Sequence, residues 1–286
     1  MLKRKKKIIA KVMATTMLAT TLATTFAMPV SALEPKAVVS VDELKGKNRE
    51  HTAIKISEKG WTSATNAVII NGYEGLVDAL TATPYAKAKN APILITKKDA
   101  LPSETKTRLT QLGVKNVDIV GGNGVISEAV VNELKAMNIT VNRISGKTRY
   151  KTAAAVADAM DNISNVTKVA VVNGATGLPD AVSVAVPAAY NNMPILLSDP
   201  NKGIEDSKDF LKEQTISKSY VVGGSGAVSD TVMNSLPGSK ERLGGKGRQG
   251  TNAKVIEEFY TSSSLNNVYV AKSGQVQKEE IGRAHV

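Results

Sequence analysis

The sequence contains no cysteine. That excludes disulfides, thiolate metal sites and a cysteine nucleophile. It has two histidines, His51 and His285, too few for a histidine-built metal site. A Ser-His-Asp triad would have to use His51, yet no G-x-S-x-G turn is present to present a serine. A solvated position beside an arginine is the plainer reading of His51. Aromatic residues make up only 4% of the chain, so the core must be built from Val, Ile, Leu and Ala. Beyond the amino terminus there is no uninterrupted apolar run of about 18 residues, so no further membrane-spanning helix is expected. Acids are missing from residues 1–32, which hold six of the positive charges (Lys3, Arg4, Lys5, Lys6, Lys7 and Lys11). Setting these aside reduces the formal charge from +11 to 11 − 6 = +5. A mildly basic remainder suits an anionic partner. Basic residues do not interleave with aromatics, so no nucleic-acid partner is expected.

What the chain does have is a phrase used three times. Gly46-Lys47-Asn48-Arg49, Gly146-Lys147-Thr148-Arg149 and Gly245-Lys246-Gly247-Arg248 each carry a threonine three residues after the arginine: Thr52, Thr152 and Thr251. The arginines are spaced by 100 and 99 residues. A fixed period of this length marks a domain copied in tandem.

Residues 1–32 have a basic head, an apolar, threonine-rich middle and a small-residue end at Val30-Ser31-Ala32. This is the layout of a secretory signal peptide cleaved after Ala32, with a retained membrane anchor as the alternative. Residues 33–45 read as a linker. An exported chain without cysteine leans toward a Gram-positive type of envelope, with no membrane partner after cleavage.

Each copy alternates helix and strand. In the first (46–142), a helix is expected after Arg49, then a strand at Asn66–Ile70 ending in Asn71-Gly72. A helix through Leu76, Ala79, Leu80 and Thr83 follows, then a strand at Pro92–Ile95. A helix starts at Pro102, with Leu101, Thr105, Leu109 and Leu112 on one face. A third strand, Val117–Val120, runs into Gly121-Gly122, and a helix carries Ile126, Val130, Leu134 and Met137. The second copy (143–241) repeats the order with Val169–Val172, Asn173-Gly174, Pro194–Leu197 and Tyr220–Gly224. Short apolar strands between amphipathic helices predict an α/β fold: tandem open parallel-sheet modules with helices on both faces. The third copy (242–280) is incomplete, with a helix after Arg248, a strand at Val268–Ala271 and a helix beginning at Lys278–Ile281. Residues 281–286 match a common sequencing-adapter sequence translated in one frame. They are expected to be an artefact, and the native protein is expected to be longer.

The glycine turns Gly121-Gly122-Asn123-Gly124 and Gly223-Gly224-Ser225-Gly226 can be read as phosphate cradles. They can also be read as tight βα turns with positive φ, followed by helix caps at Ser127 and Ser229. Neither copy is G-x-G-x-x-G and no P-loop lysine follows, so no cofactor is expected. Arg49, Arg149 and Arg248 read equally as forked donors for phosphate or carboxylate, or as structural arginines bridging modules through Asp78 and Asp180. No catalytic constellation and no metal site is expected.

The Gly-Lys-x-Arg-x-x-Thr openings, the Asn-Gly after the first strand, the Asp-Ala pairs (Asp78-Ala79, Asp180-Ala181), the Pro-Ile-Leu strands and the Val-Gly-Gly turns together resemble the clostridial cell wall binding repeat type 2. The resemblance covers roughly residues 46–280. It implies three modules about a pseudo-threefold axis, carried by exported S-layer proteins, adhesins and autolysins. It implies non-covalent anchoring to an anionic secondary cell wall polymer on the peptidoglycan-associated surface. The implied polymer-binding residues are Arg49, Arg149, Arg248, Lys47, Lys147, Lys246, Pro92, Ile93, Leu94, Pro194, Ile195 and Leu196. Asp78 and Asp180 are either inter-module or polymer-facing acids. The alternative is the anchor portion of an N-acetylmuramoyl-L-alanine amidase or of an S-layer or adhesin protein. The family usually has Asp before the repeated arginine, where this chain has Asn48, Thr148 and Gly247.

Overall fold

The computed structural model describes residues 43–261, together with 270–271 and 284–285. The expected signal peptide at 1–32, the linker before residue 43 and the helix expected to start at Lys278 lie outside the described residues.

The first module runs α1 (Arg49–Gly60), β1 (Asn66–Asn71), α2 (Leu76–Ala88), β2 (Ile93–Thr96), α3 (Ser103–Leu112), β3 (Asn116–Val120), α4 (Glu128–Ala136) and β4 (Thr140–Ile144). The second repeats it as α5 (Arg149–Asp161), β5 (Lys168–Asn173), α6 (Leu178–Tyr190), β6 (Ile195–Ser198), a 3-10 turn (Glu205–Ser207) leading into α7 (Lys208–Glu213), β7 (Lys218–Val222), α8 (Asp230–Ser235) and β8 (Ser239–Leu243). The third begins with α9 (Gly247–Phe259), and a short β9 (Val270–Ala271) pairs antiparallel with β10 (Ala284–His285).

Both large sheets are parallel throughout, with orders β2-β1-β3-β4 and β6-β5-β7-β8. Register repeats with the sequence: Ile69 lies opposite Leu94 and Ile119, and Val171 opposite Leu196 and Val221. The strands are apolar because helices cover both of their faces. The edge strands β4 and β8 were not legible as strands. Thr140–Ile144 and Ser239–Leu243 are polar, and only the last residue of each is buried. β4 runs through positions 142–143, where the sequence divides the first two modules.

Alternation along the strands sorts the core into layers. Ala67, Ile69, Val117 and Ile119 join Leu94, Leu101, Leu109 and Leu134 on one side of the first sheet. Val68 and Val120 face the other way, into a cluster that also holds Val169, Val171, Val221 and Phe210 of the second module. The middle layer therefore belongs to both modules. The far face of the second sheet (Ala170, Val172, Tyr220, Val222) is closed by α6 and by Val255 of α9. α5 packs on α2, and α9 packs on α6 in the corresponding way.

Candidate functional site

The repeated phrase forms the start of each module's first helix. The Gly46 N–H donates to Thr52 Oγ1 at 3.0 Å, Gly146 to Thr152 at 3.1 Å and Gly245 to Thr251 at 3.4 Å. A Cβ on any of these glycines would collide with the chain five residues on, at His51, Lys151 or Gly250. The phrase is thus a folded-back knot in which glycine is required by close approach. The position where the family usually has Asp is the helix cap. Asn48 accepts from the His51 N–H at 2.9 Å and Thr148 from the Lys151 N–H at 3.2 Å, each holding an orphan donor of the first turn. At the third copy α9 has no side-chain cap. Lys47, Lys147 and Lys246 stand exposed beside these helix starts, where the positive end of the helix dipole adds to their charge.

The arginines reach across to the Asn-Gly turns. Arg49 donates from Nη1 to the Gly72 carbonyl and lies 4.2 Å from the centre of the Tyr73 ring. Arg149 donates to the Gly174 carbonyl at 3.2 Å. Each later arginine also acts on an acid of the preceding module. Burial pushes Asp78 above the usual carboxylate range, and the Arg149 charge opposes that shift. Burial likewise raises Asp180, opposed by a hydrogen bond with Thr251 and by the Arg248 charge. Asp78 Oδ1 has no hydrogen-bond partner among the described residues. Both acids lie against the first glycine of the strand-to-helix turn, Gly121 or Gly223.

Those turns have positive φ at Gly121 (125°) and Gly223 (115°). Two residues not singled out as site positions hold them. Asn71 donates to the Val125 carbonyl at 2.7 Å, and its Oδ1 accepts from the Tyr73 and Glu74 N–H groups. Asn173 repeats this with the Ala227 carbonyl at 2.6 Å and the Ala175 and Thr176 N–H groups. From the adjacent edge strand, Arg143 donates to the carbonyls of Gly121 and Ile126 and pairs with Glu128. Arg242 donates to the Gly223 carbonyl and pairs with Asp230. The recurrence of Asn at the end of both first strands was the available sequence signal. Ser229 caps α8 through the Val232 N–H at 3.2 Å, whereas Ser127 makes no such bond.

The Pro-Ile-Leu strands are placed differently from the exposed lysines. Pro92, Leu94, Pro194, Ile195 and Leu196 are buried and Ile93 is half-buried, so these side chains fill the sheet layers. A cleft of about 410 Å³ opens at the carboxyl ends of β5, β6 and β7, between the loop after β6 and the glycine turn after β7. The two loops that flank it lead to helices on the same face of the sheet, and β5 contributes Asn173 from between them. A smaller hollow of about 290 Å³ lies between α1 and α3, around His51, Glu104 and Arg108. No group of three His, Asp or Glu suited to a metal occurs among the described residues, and none of their helices is long and apolar enough to cross a membrane.

Residues 43–131 and 143–233 match the family described as cell wall binding domain 2. The chain is 40% identical over 232 residues to the N-acetylmuramoyl-L-alanine amidase LytC of Bacillus subtilis (strain 168), which covers 81% of this chain and 45% of that protein. Among solved structures, Cwp8 from Clostridium difficile superposes with a TM-score of 0.72 at 32% identity, over 82% of this chain and 40% of that one. Cwp6 from the same organism gives 0.71 at 34% identity, over 76% and 35%. The chain spans less than half the length of each of these relatives.

Proposed function

The chain belongs to the cell wall binding domain 2 family, and on that premise we propose that it is an exported protein that anchors non-covalently to an anionic secondary polymer of the cell wall. The supporting observation is the threefold phrase. Its exposed lysines, Lys47, Lys147 and Lys246, recur at equivalent helix starts, and an arginine follows two residues after each. A single exposed ionic contact is worth little. Repetition on one chain turns later contacts into intramolecular events, so weak contacts multiply into firm retention. Arg149 and Arg248 are exposed beside these lysines, and the arginines and lysines together are the polymer contacts in this reading.

The test is retention on purified wall sacculi. Retention is expected to fall with added salt, to vanish after the anionic polymer is extracted, and to drop when Lys47, Lys147 and Lys246 are all changed to Gln. Unchanged retention on stripped walls overturns the proposal.

A second reading is favoured by the match to the amidase: the chain is the anchor portion of a wall hydrolase. It has a separate readout. Peptidoglycan hydrolysis by this chain alone would make it a catalyst, and activity only when it is joined to a further domain would make it that enzyme's anchor.

A further inference from the structure

The two modules keep a constant offset of 102 residues from Asn71/Asn173 through Asp78/Asp180 and Gly121/Gly223 to Leu134/Leu236. Within that frame one position differs sharply. Leu101 is buried in the first module, packed with Ile126 and Val130. Its counterpart is Gly203, with φ +63°, where an added Cβ would meet Val232 Cγ2 at 2.9 Å. The first module carries a leucine at this position and the second none; in the second, the following residue, Ile204, is buried in the cluster with Val228 and Leu236 and lines the cleft.

The loops around this position also differ. In the first module the loop after β2 is drawn onto the glycine turn: the Ser127 N–H donates to the Lys98 carbonyl at 2.8 Å, and the Leu101 N–H to Glu133 at 3.2 Å. In the second module the loop after β6 closes on itself. Asp199 and Gly203 exchange two backbone bonds, at 2.7 and 2.8 Å, and Asp199 Oδ1 accepts the N–H groups of Asn201 and Lys202. The self-bonded loop and the glycine turn flank the cleft of about 410 Å³. Its volume lies within the range of about 300–1,000 Å³ usual for small-ligand sites.

The lining defines the occupant's chemistry. Glu205 and Lys208 neutralise one another as an ion pair, and the Asp199 carboxylate is held by its own loop. Lys202 is the remaining cation of the lining, and its charge also acts on Asp199. The Ser225 and Gly226 N–H groups have no acceptor among the described residues. Hydroxyls of Thr231 and Ser235 line the cleft, with Val232 as its apolar floor. Hydroxyls and amides suit sugar hydroxyls, an apolar floor suits the C–H face of a pyranose, and one cation suits one acidic substituent.

We propose that the cleft of the second module alone binds a sugar unit bearing a single anionic group, and that the first module's equivalent is sealed by Leu101. This rests on the wall-binding reading and places the recognition of individual polymer units in one module.

The experiment titrates the ¹⁵N-labelled chain with N-acetylglucosamine 1-phosphate, N-acetylglucosamine and inorganic phosphate, following backbone amide shifts. The sugar phosphate is expected to move the amides of Lys202, Gly203, Ser225 and Gly226, leaving those of Asn123 and Gly124 in place. Each half-probe is expected to bind at least tenfold more weakly. Lys202→Gln should weaken binding about tenfold. Val232→Phe, which fills the cleft from its floor, should abolish the response while thermal melting confirms that the fold is intact. Equal shifts in both modules, no shift with any probe, or an undiminished response in folded Val232→Phe each overturn the proposal. Sacculus retention of the unaltered chain is measured in parallel. Its loss refutes wall binding, whereas retention with a silent cleft refutes only the cleft.

Discussion

Leu101 and Gly203 stand at one place in two copies of one fold, and they show how a repeat diverges without losing its frame. The elements common to both modules hold backbone: Asn71 and Asn173, Arg143 and Arg242, and the glycine–threonine knots at the helix starts. The elements that differ fill volume. Besides Leu101 and Gly203, the first module buries Arg108, which donates from Nε to Ser57 Oγ at 2.6 Å and from Nη2 to the Trp61 carbonyl at 2.8 Å. The second has Phe210 and Ala157 at those two places, inside the shared middle cluster. A polar pair and an apolar pair do the same job of pinning the third helix to the first. Backbone-holding residues cannot change singly because each serves several groups. Volume-filling residues can change in compensating pairs.

That contrast can be broken most directly by Leu101→Gly. Removing a buried leucine should destabilise the chain by about 3–5 kcal/mol, read as a lower urea midpoint, and should bring an amide response to the sugar phosphate at Asn123 and Gly124. A stable variant with no new response would mean that the first loop closes for reasons other than the plug. Next in size, Arg143→Ala should cost roughly 1.5–3 kcal/mol, since a charged donor leaves two carbonyls. Arg242→Ala, which leaves one carbonyl, should cost less by the same denaturation measurement. The third test exchanges the pinning pairs. Ser57→Ala alone should cost about 1–3 kcal/mol because the buried guanidinium loses an acceptor, while Ser57→Ala with Arg108→Phe should be nearly neutral. A double variant no better than the single would show that the two modules' pairs are not interchangeable.

The smallest effect concerns pH. Asp78 and Asp180 both have folded-state pKa values raised above the usual 3.8, mainly by burial. The native state then holds more protons than the unfolded one, so this contribution to stability is present at low pH. It falls as pH rises from about 3.8 through the raised value. Asp199, Glu205 and Glu133 are shifted downward by their hydrogen bonds and work in the opposite sense. The difference in urea midpoint between the unaltered chain and Asp78→Asn isolates the Asp78 part. It should shrink toward zero, or favour the variant, as pH rises through that window.

Much of this fold was legible in the chain. Six strands, including the apolar edge strands β2 and β6, and most helices followed from apolar runs and 3.6-residue spacing, because both faces of these strands are covered. The polar edge strands β4 and β8 were not legible. Ser239-Lys240-Glu241-Arg242-Leu243 has the composition of a loop, and only its pairing with β7 makes it a strand. Charged side chains on an edge discourage further pairing, so the residues that guard the sheet also hide the strand. At the site, the repeated arginines and lysines stood out by their period. The cleft did not, because it is shaped by how the loop after β6 closes on itself. Gly203 becomes visible only when aligned with Leu101. The Pro-Ile-Leu strands recur as well, and their side chains are buried or half-buried in the sheet layers.

The joint between modules has a direction. An acid on the central helix of one module answers an arginine at the start of the next, and the first helix of each module lies on the central helix of the one before. Such a head-to-tail contact is unlike a twofold one, since its two sides are different surfaces. The second module presents one surface of each kind, its first helix to the module before and its central helix to the module after. The volume-filling positions inside each copy then remain free to drift toward ligands of their own.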